Sequence, residues 1–327
     1  MLFAAIAFSA NKPGQSQIGG KTWFRMNLES CDGETEAMGF EVARGYFTFS
    51  HQFSSAISGK FNIDIYSSDK STDAGGAGLK IKAAYLEYSE ILPDAKIQAG
   101  IIKNYFGTIY DWKYITIQKA PEDLNGVIAS ADAGVALTGY IPSGFGEYQL
   151  GIYNGEGYKK YLDNIDKNPA FVANVRFIPF TGLTLGGSVH YSQFEFATDT
   201  LGNTENRKDM KVAGVLRGAY GPVELWGEYL MREKGEAQGS GLMVMPVVTL
   251  GRRFQLLGRY DIWDPDTDTD DDGHSLMVLG INYFLTKNGK GTQLQFNWQR
   301  NTPEMADSEP TDNLCLQLRW EFKSNPF

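Results

Sequence analysis

The sequence predicts an all-β chain, a transmembrane antiparallel up-and-down β-barrel of about sixteen strands in a bacterial outer membrane. Three observations carry this. Apolar residues recur with a period of two, not three and four. The alternating segments approach the roughly 9–11 residues of a tilted membrane strand. The links between them alternate between brief and long. In 327 residues, aromatics make up 13%, with 37 Gly and only 12 Pro. No apolar run reaches the roughly 18 residues of a transmembrane helix, and a slightly negative mean hydropathy fits a barrel whose lumen face is polar.

Residues 1–10 (MLFAAIAFSA) match the apolar core and small-residue end of a secretory signal without its positively charged start, and are expected to be its remnant. The alternative is a frayed apolar terminus. Residues 11–327 form one barrel. Strands are expected near 18–28, 40–52, 56–66, 79–90, 95–103, 132–140, 146–153, 169–178, 182–193, 209–218, 222–232, 241–249, 252–262, 274–284, 291–300 and 313–322.

After each even-numbered strand the link is a tight turn, as at Phe53 to Ser55, Leu92 to Asp94 or Tyr220 to Pro222. After the odd-numbered ones it is long and polar, as at Ser67 to Gly78, Asn104 to Ala131, Asn154 to Asn168, Phe194 to Lys208 and Asp264 to Gly273. Short periplasmic turns opposite long outer loops define this barrel class, and an even strand count places both chain ends in the periplasm.

The two-residue period sets the facing. In the last strand Leu314, Leu316, Leu318, Trp320 and Phe322 alternate with Cys315, Gln317, Arg319 and Glu321. About sixteen strands enclose more space than side chains fill, so the apolar set meets lipid and the polar set lines water. Phe24, Tyr85, Tyr88, Tyr191, Tyr260, Trp263, Trp298, Trp320 and Phe322 suit the interfacial girdles. The same facing sends Lys21, Arg25, Arg44, Lys60, Lys96, Arg176, Lys211, Arg217, Arg259 and Arg319 into the lumen, against Asp64, Glu87, Glu224, Glu228, Asp261 and Glu321. Although the net charge is -9, much of the acid lies in loops. A mild anion preference is one expectation and a mixed-charge, water-holding lumen the other.

Several stretches resemble the phosphate-selective porin group, the O and P porins. They are ARGYFTF (Ala43 to Phe49), AYLEY (Ala84 to Tyr88), QAGIIKNYFG (Gln98 to Gly107), ADAGVALTGY (Ala131 to Tyr140), YQLGIYNGEGY (Tyr148 to Tyr158) and YDIWDPDTDTDDDG (Tyr260 to Gly273). The resemblance implies a sixteen-stranded barrel, commonly trimeric, that passes small anions or other small solutes. The stacked Arg and Lys of the named members find no residue-by-residue match here. In sixteen-stranded porins a constriction loop follows the fifth strand. By that analogy Asn104 to Ala131 folds inward, making Asp111, Lys113, Lys119, Glu122 and Asp123 eyelet charges, or else packs outward over the rim.

The loop bearing Asp264, Asp266, Asp268, Asp270, Asp271 and Asp272 copies the first half of a calcium loop, but Leu279 stands where its bidentate acid belongs. A looser calcium site and a solvated acidic loop both remain open. Cys31 and Cys315 sit on the first and last strands, which a closed barrel pairs. They are expected either to bridge that seam or to stay free. Three histidines, His51, His190 and His274, accompany no nucleophile-and-acid pattern, zinc spacing or phosphate-cradling glycine loop, so no enzyme is expected. No basic domain suggests nucleic acid. The expected partners are outer-membrane lipid and lipopolysaccharide, small solutes or anions, and two further copies of the chain. The competing reading is a non-conducting outer-membrane adhesion or structural barrel.

Overall fold

A computed structural model describes residues 12–68, 76–160, 168–197, 204–286 and 291–327. Residues 1–10, expected to be a signal remnant, lie outside the described residues. Sixteen strands close into one barrel in which each pairs antiparallel with its sequence neighbours and the last with the first. They are β1 (Ser16–Cys31), β2 (Glu34–Gln52), β3 (Ile57–Ser67), β4 (Ala77–Leu92), β5 (Ala95–Lys103), β6 (Ala131–Ile141), β7 (Gly146–Tyr153) and β8 (Ala170–Phe180). The circle continues with β9 (Leu183–Ala197), β10 (Thr204–Tyr220), β11 (Val223–Lys234), β12 (Ala237–Leu250), β13 (Phe254–Asp264), β14 (His274–Phe284), β15 (Gln293–Pro303) and β16 (Thr311–Lys323). Among the described residues no helix is long and apolar enough to cross a membrane.

The outward face is apolar around the whole circumference. Phe24, Leu86, Val135, Leu150, Phe171, Val189, Leu216, Tyr229, Leu242, Tyr260, Leu279, Phe296 and Leu316 are all exposed. Tyr85 and Trp263 depart from the expected girdles. Tyr85 packs inside against the Ile102 and Tyr153 cluster, and Trp263 is buried against the loop that fills the lumen. The ladder explains both, since Tyr85 stands opposite lumenal Lys60 and Trp263 continues the inward row of Arg259 and Asp261.

Two expected long links are tight turns. Strands β1 and β2 extend until only Asp32 and Gly33 remain, both with positive φ (48° and 78°), the geometry of a two-residue hairpin with matching strand twist. Strands β11 and β12 are likewise joined by Gly235 and Glu236. At the opposite rim the backbones of Ser16 and Phe327 exchange hydrogen bonds of 2.8 Å and 3.0 Å, so the two described ends meet at the short-turn end.

The seam also corrects the disulfide. Cys31 pairs with Thr311, whereas Cys315 pairs with Asn27, and both thiols are free. Four positions separate 311 from 315, about 13 Å at the rise of an extended strand, far beyond the reach of an S–S bond. Neighbouring strands were correctly expected, but register along the ladder depends on where each strand starts.

Candidate functional site

The segment between β5 and β6 folds into the barrel. Its base is closed by Asn104, whose N–H donates to Ser130 O at 3.2 Å and whose Nδ2 donates to Ala129 O at 2.7 Å. A four-residue helix, α1 (Pro121–Leu124), begins with the proline that suits a first helical position. The loop's Phe106, Ile109, Ala120, Val127 and Ile128 pack on Ala213, Leu230 and Trp263 of the wall. Its Trp112, Ile115 and Leu124 pack on Trp226, Met243, Met245, Val247, Leu257 and Val278. Strand β12 is therefore apolar on both faces, with Leu242 and Val244 outward and Met243, Met245 and Val247 fully buried inward. Here a polar lumen face was expected, and an apolar bed for the loop is found.

Polar contacts pin the loop around that bed. Arg176 donates to Gly107 O, Asn282 to Ile115 O (2.9 Å), Arg259 to Lys119 O (2.6 Å) and Arg319 to Lys113 O (3.1 Å). Ile117 N–H donates to Asn297 Oδ1 at 2.7 Å, and Gln118 Nε2 to Gln299 Oε1 at 2.8 Å. At its near edge Tyr110 donates to Glu147 on β7. At its tip Tyr114 accepts from Arg44 Nη1 at 3.4 Å and lies 5.6 Å from the Trp23 ring. These contacts run to β1, β2, β7, β8 and β13–β16, while toward β3–β6 the loop meets Lys82 through Ser130 and Lys103 through Tyr110.

All ten basic residues expected in the lumen stand on inward rows, but they divide into two groups. Arg176, Arg259 and Arg319 hold loop carbonyls, Arg217 bridges Asp111 (3.5 Å) and Glu224 (2.8 Å), and Lys211 is buried against Asp209 (2.9 Å) and His190 (3.3 Å). On the opposite side lie Lys21, Arg25, Arg44, Lys60 and Lys96. There Lys21 pairs with Glu321 (2.9 Å), Arg44 with Asp64 (3.4 Å), Lys96 with Glu87 (3.0 Å), and Arg25 with Gln317 (2.9 Å) and Glu41 (3.7 Å).

Three further cations on this side escape the sequence reading. Strand alternation sends Lys80 and Lys82 toward lipid, but a bulge between the Asn62 and Ile63 rungs shifts the parity. Lys80 then stands opposite Asp64, while Lys82 hydrogen-bonds Ser130 and lies 4.0 Å from the Tyr158 ring centre. Lys103, at the end of β5, lies over Tyr110 at 5.3 Å. Lys60, Lys82 and Lys103 form no ion pair among the described residues. Nearer the long loops, Lys159 is within electrostatic reach of Arg44, Lys80 and Lys119, and of Asp123. Nearer the short turns, Lys60 is within reach of Lys21, Lys96 and Lys323.

The expected eyelet charges have separate fates. Asp123 faces the Lys82 side, whereas Asp111 is tied to Arg217 on its own side. Lys113 and Lys119 give their carbonyls to the wall, and burial beside Arg217 lowers the Lys113 ammonium's pKa. Glu122 is fully buried and is an anchor, so it lines no opening. In the acidic loop, Asp264 and Asp266 accept the backbone N–H groups of Asp266 (3.1 Å) and Asp268 (3.4 Å). Among the described residues no three His, Cys, Asp or Glu side chains converge as a metal site, so Asp264, Asp266, Asp268, Asp270 and Asp272 gain no geometric support as calcium ligands.

Solved structures agree on the closed sixteen-stranded barrel fold. The outer membrane channel DcaP of Acinetobacter baumannii superposes with a TM-score of 0.71 at 12% identity, over 95% of this chain and 98% of that one. An anion-selective porin from Comamonas acidovorans gives 0.63 at 12%, over 94% and 99%. The trimer form of OmpT, an outer membrane protein of Vibrio cholerae, gives 0.60 at 11%, over 94% and 99%. No protein-family model and no curated protein sequence matches the chain.

Proposed function

We propose that this protein is an outer-membrane porin whose passage runs between the inward loop and the wall of β1–β6 and favours small anions. One observation carries the reading: the loop packs on the β10–β14 wall, and the other half of the lumen holds lysines 60, 82 and 103, which form no ion pair among the described residues. Confined by low-dielectric walls, such charges raise the local anion concentration. Similarity in fold to an anion-selective porin supports the preference, and the resemblance to phosphate-selective porins makes phosphate the first anion to test. The long loops face outward and both ends lie in the periplasm, as insertion from that side requires. Three copies assemble, in keeping with the trimer form of a structural neighbour.

Purified protein in a planar bilayer under a salt gradient tests this. Stepwise conductance with a reversal potential on the anion side is expected. Cation preference overturns the selectivity, and no steps at all favour the adhesion barrel.

A further inference from the structure

We infer that a second site, in the long-loop end of the lumen and away from the basic wall, binds a neutral sugar ring. A cavity of about 410 Å³ lies between the end of the inward loop and β13–β15. This falls within the roughly 300–1,000 Å³ typical of small-molecule sites. Its lining carries no charged side chain. Gln118 and Asn125 enter from the loop, Trp263, His274 and Asn301 from the wall, and Leu124, Leu276 and Pro265 supply hydrocarbon.

The polar groups are uncommitted. The side chains of Asn125, Asn301 and His274 and the indole N–H of Trp263 make no hydrogen bond among the described residues, and none of these atoms is a buried orphan. They line the cavity with these groups unpaired by any described residue. Only Gln118 is held, by Gln299 at 2.8 Å. The wall is built to seat the indole. Gly241 stands directly opposite Trp263, and a Cβ there would come within 2.7 Å of the ring.

Carboxamides and neutral imidazole both donate and accept, and the indole N–H donates, all without fixed charge, which suits vicinal hydroxyls. The leucines and proline suit the C–H face of a ring. An anion finds no cation here, because Arg259 is fully engaged by Asp261 and the Lys119 carbonyl. A wholly apolar ligand would strand the amides. The site does not depend on which ions the channel prefers.

Saturation-transfer NMR with D-glucose on the detergent-purified protein tests the site, with gluconate as the size-matched anion. Glucose is expected to show transfer, and gluconate at least tenfold weaker binding. Asn301 is exposed, so Asn301→Ala leaves the fold intact and should weaken glucose about tenfold, the worth of a lost pair of hydrogen bonds. Trp263→Phe keeps an aromatic side chain but loses the indole N–H and should weaken glucose as well. Bilayer selectivity of Asn301→Ala should remain that of the parent, which separates this site from the ion path. Absence of transfer from glucose, equal transfer in parent and Asn301→Ala, or tighter binding of gluconate overturns the assignment.

Discussion

Glu122 of the inward loop and Glu228 of β11 meet at Thr108, whose Oγ1 lies 3.3 Å from one carboxyl and 2.6 Å from the other. Glu122 also accepts the Ile109 N–H (3.0 Å), Glu228 accepts the Thr108 N–H (3.0 Å), and Arg176 faces the pair. Burial holds the Glu122 carboxyl above its usual range, so it binds its proton more tightly docked than undocked. Docking is then at full strength below the ordinary carboxylate range and weakens as pH rises through the elevated value. Open-channel noise in bilayers should grow over that rise, and Glu122→Gln should flatten the trend. An unchanged trend in the variant would show that other groups set it.

Gly107 has φ of 47°, and a Cβ there would collide with both carboxyls. Gly107→Ala should cost about 1–3 kcal/mol of loop docking from the backbone conformation alone. The expected readout is a larger, noisier conductance with an unchanged barrel by circular dichroism. Parent-like conductance would mean the loop shifts without penalty.

Reversing charge on the open wall should move selectivity. Lys82→Glu and Lys103→Glu are each expected to lower the anion-to-cation permeability ratio about thirtyfold, taking roughly 1 kcal/mol per unit charge at short range in water and a change of two units. Arg300, outward and paired with Asp312 at 2.7 Å, serves as the control, and Arg300→Gln should leave the ratio alone. A ratio insensitive to both lysines would place the passage elsewhere.

The native cysteines should give identical gel mobility with and without reductant. Asn27 already accepts a 3.0 Å hydrogen bond from Cys315 Sγ across the β1–β16 seam. Asn27→Cys should therefore oxidise to a bridge that raises the unfolding temperature and closes the barrel covalently. Failure to crosslink under oxidant would count against this register.

Strand alternation made the barrel legible from sequence, because a two-residue period is blind to everything except which face is wet. Leu314 to Phe322 fell as expected, and the loop after the fifth strand does turn inward. What alternation hides is any interruption of itself. The bulge at Lys82 inverted parity for two lysines, and the Cys31 rung depended on strand starts that no local pattern fixes. One clue was available. Met243 to Val248 runs without alternation, and a strand apolar on both faces announces that something dry lies inside.

The bed of the inward loop is gathered from the C-terminal half of the chain, with Lys113 answering to Arg319 and Ile117 to Asn297. Nearly two hundred residues must be made and paired before these partners exist, a long loop closure by any measure. Until then the inner face of β12 is as greasy as its outer one. A nascent copy thus carries two sticky surfaces where the finished one shows a single membrane belt, and only the last hairpin's arrival lets the inner surface be covered.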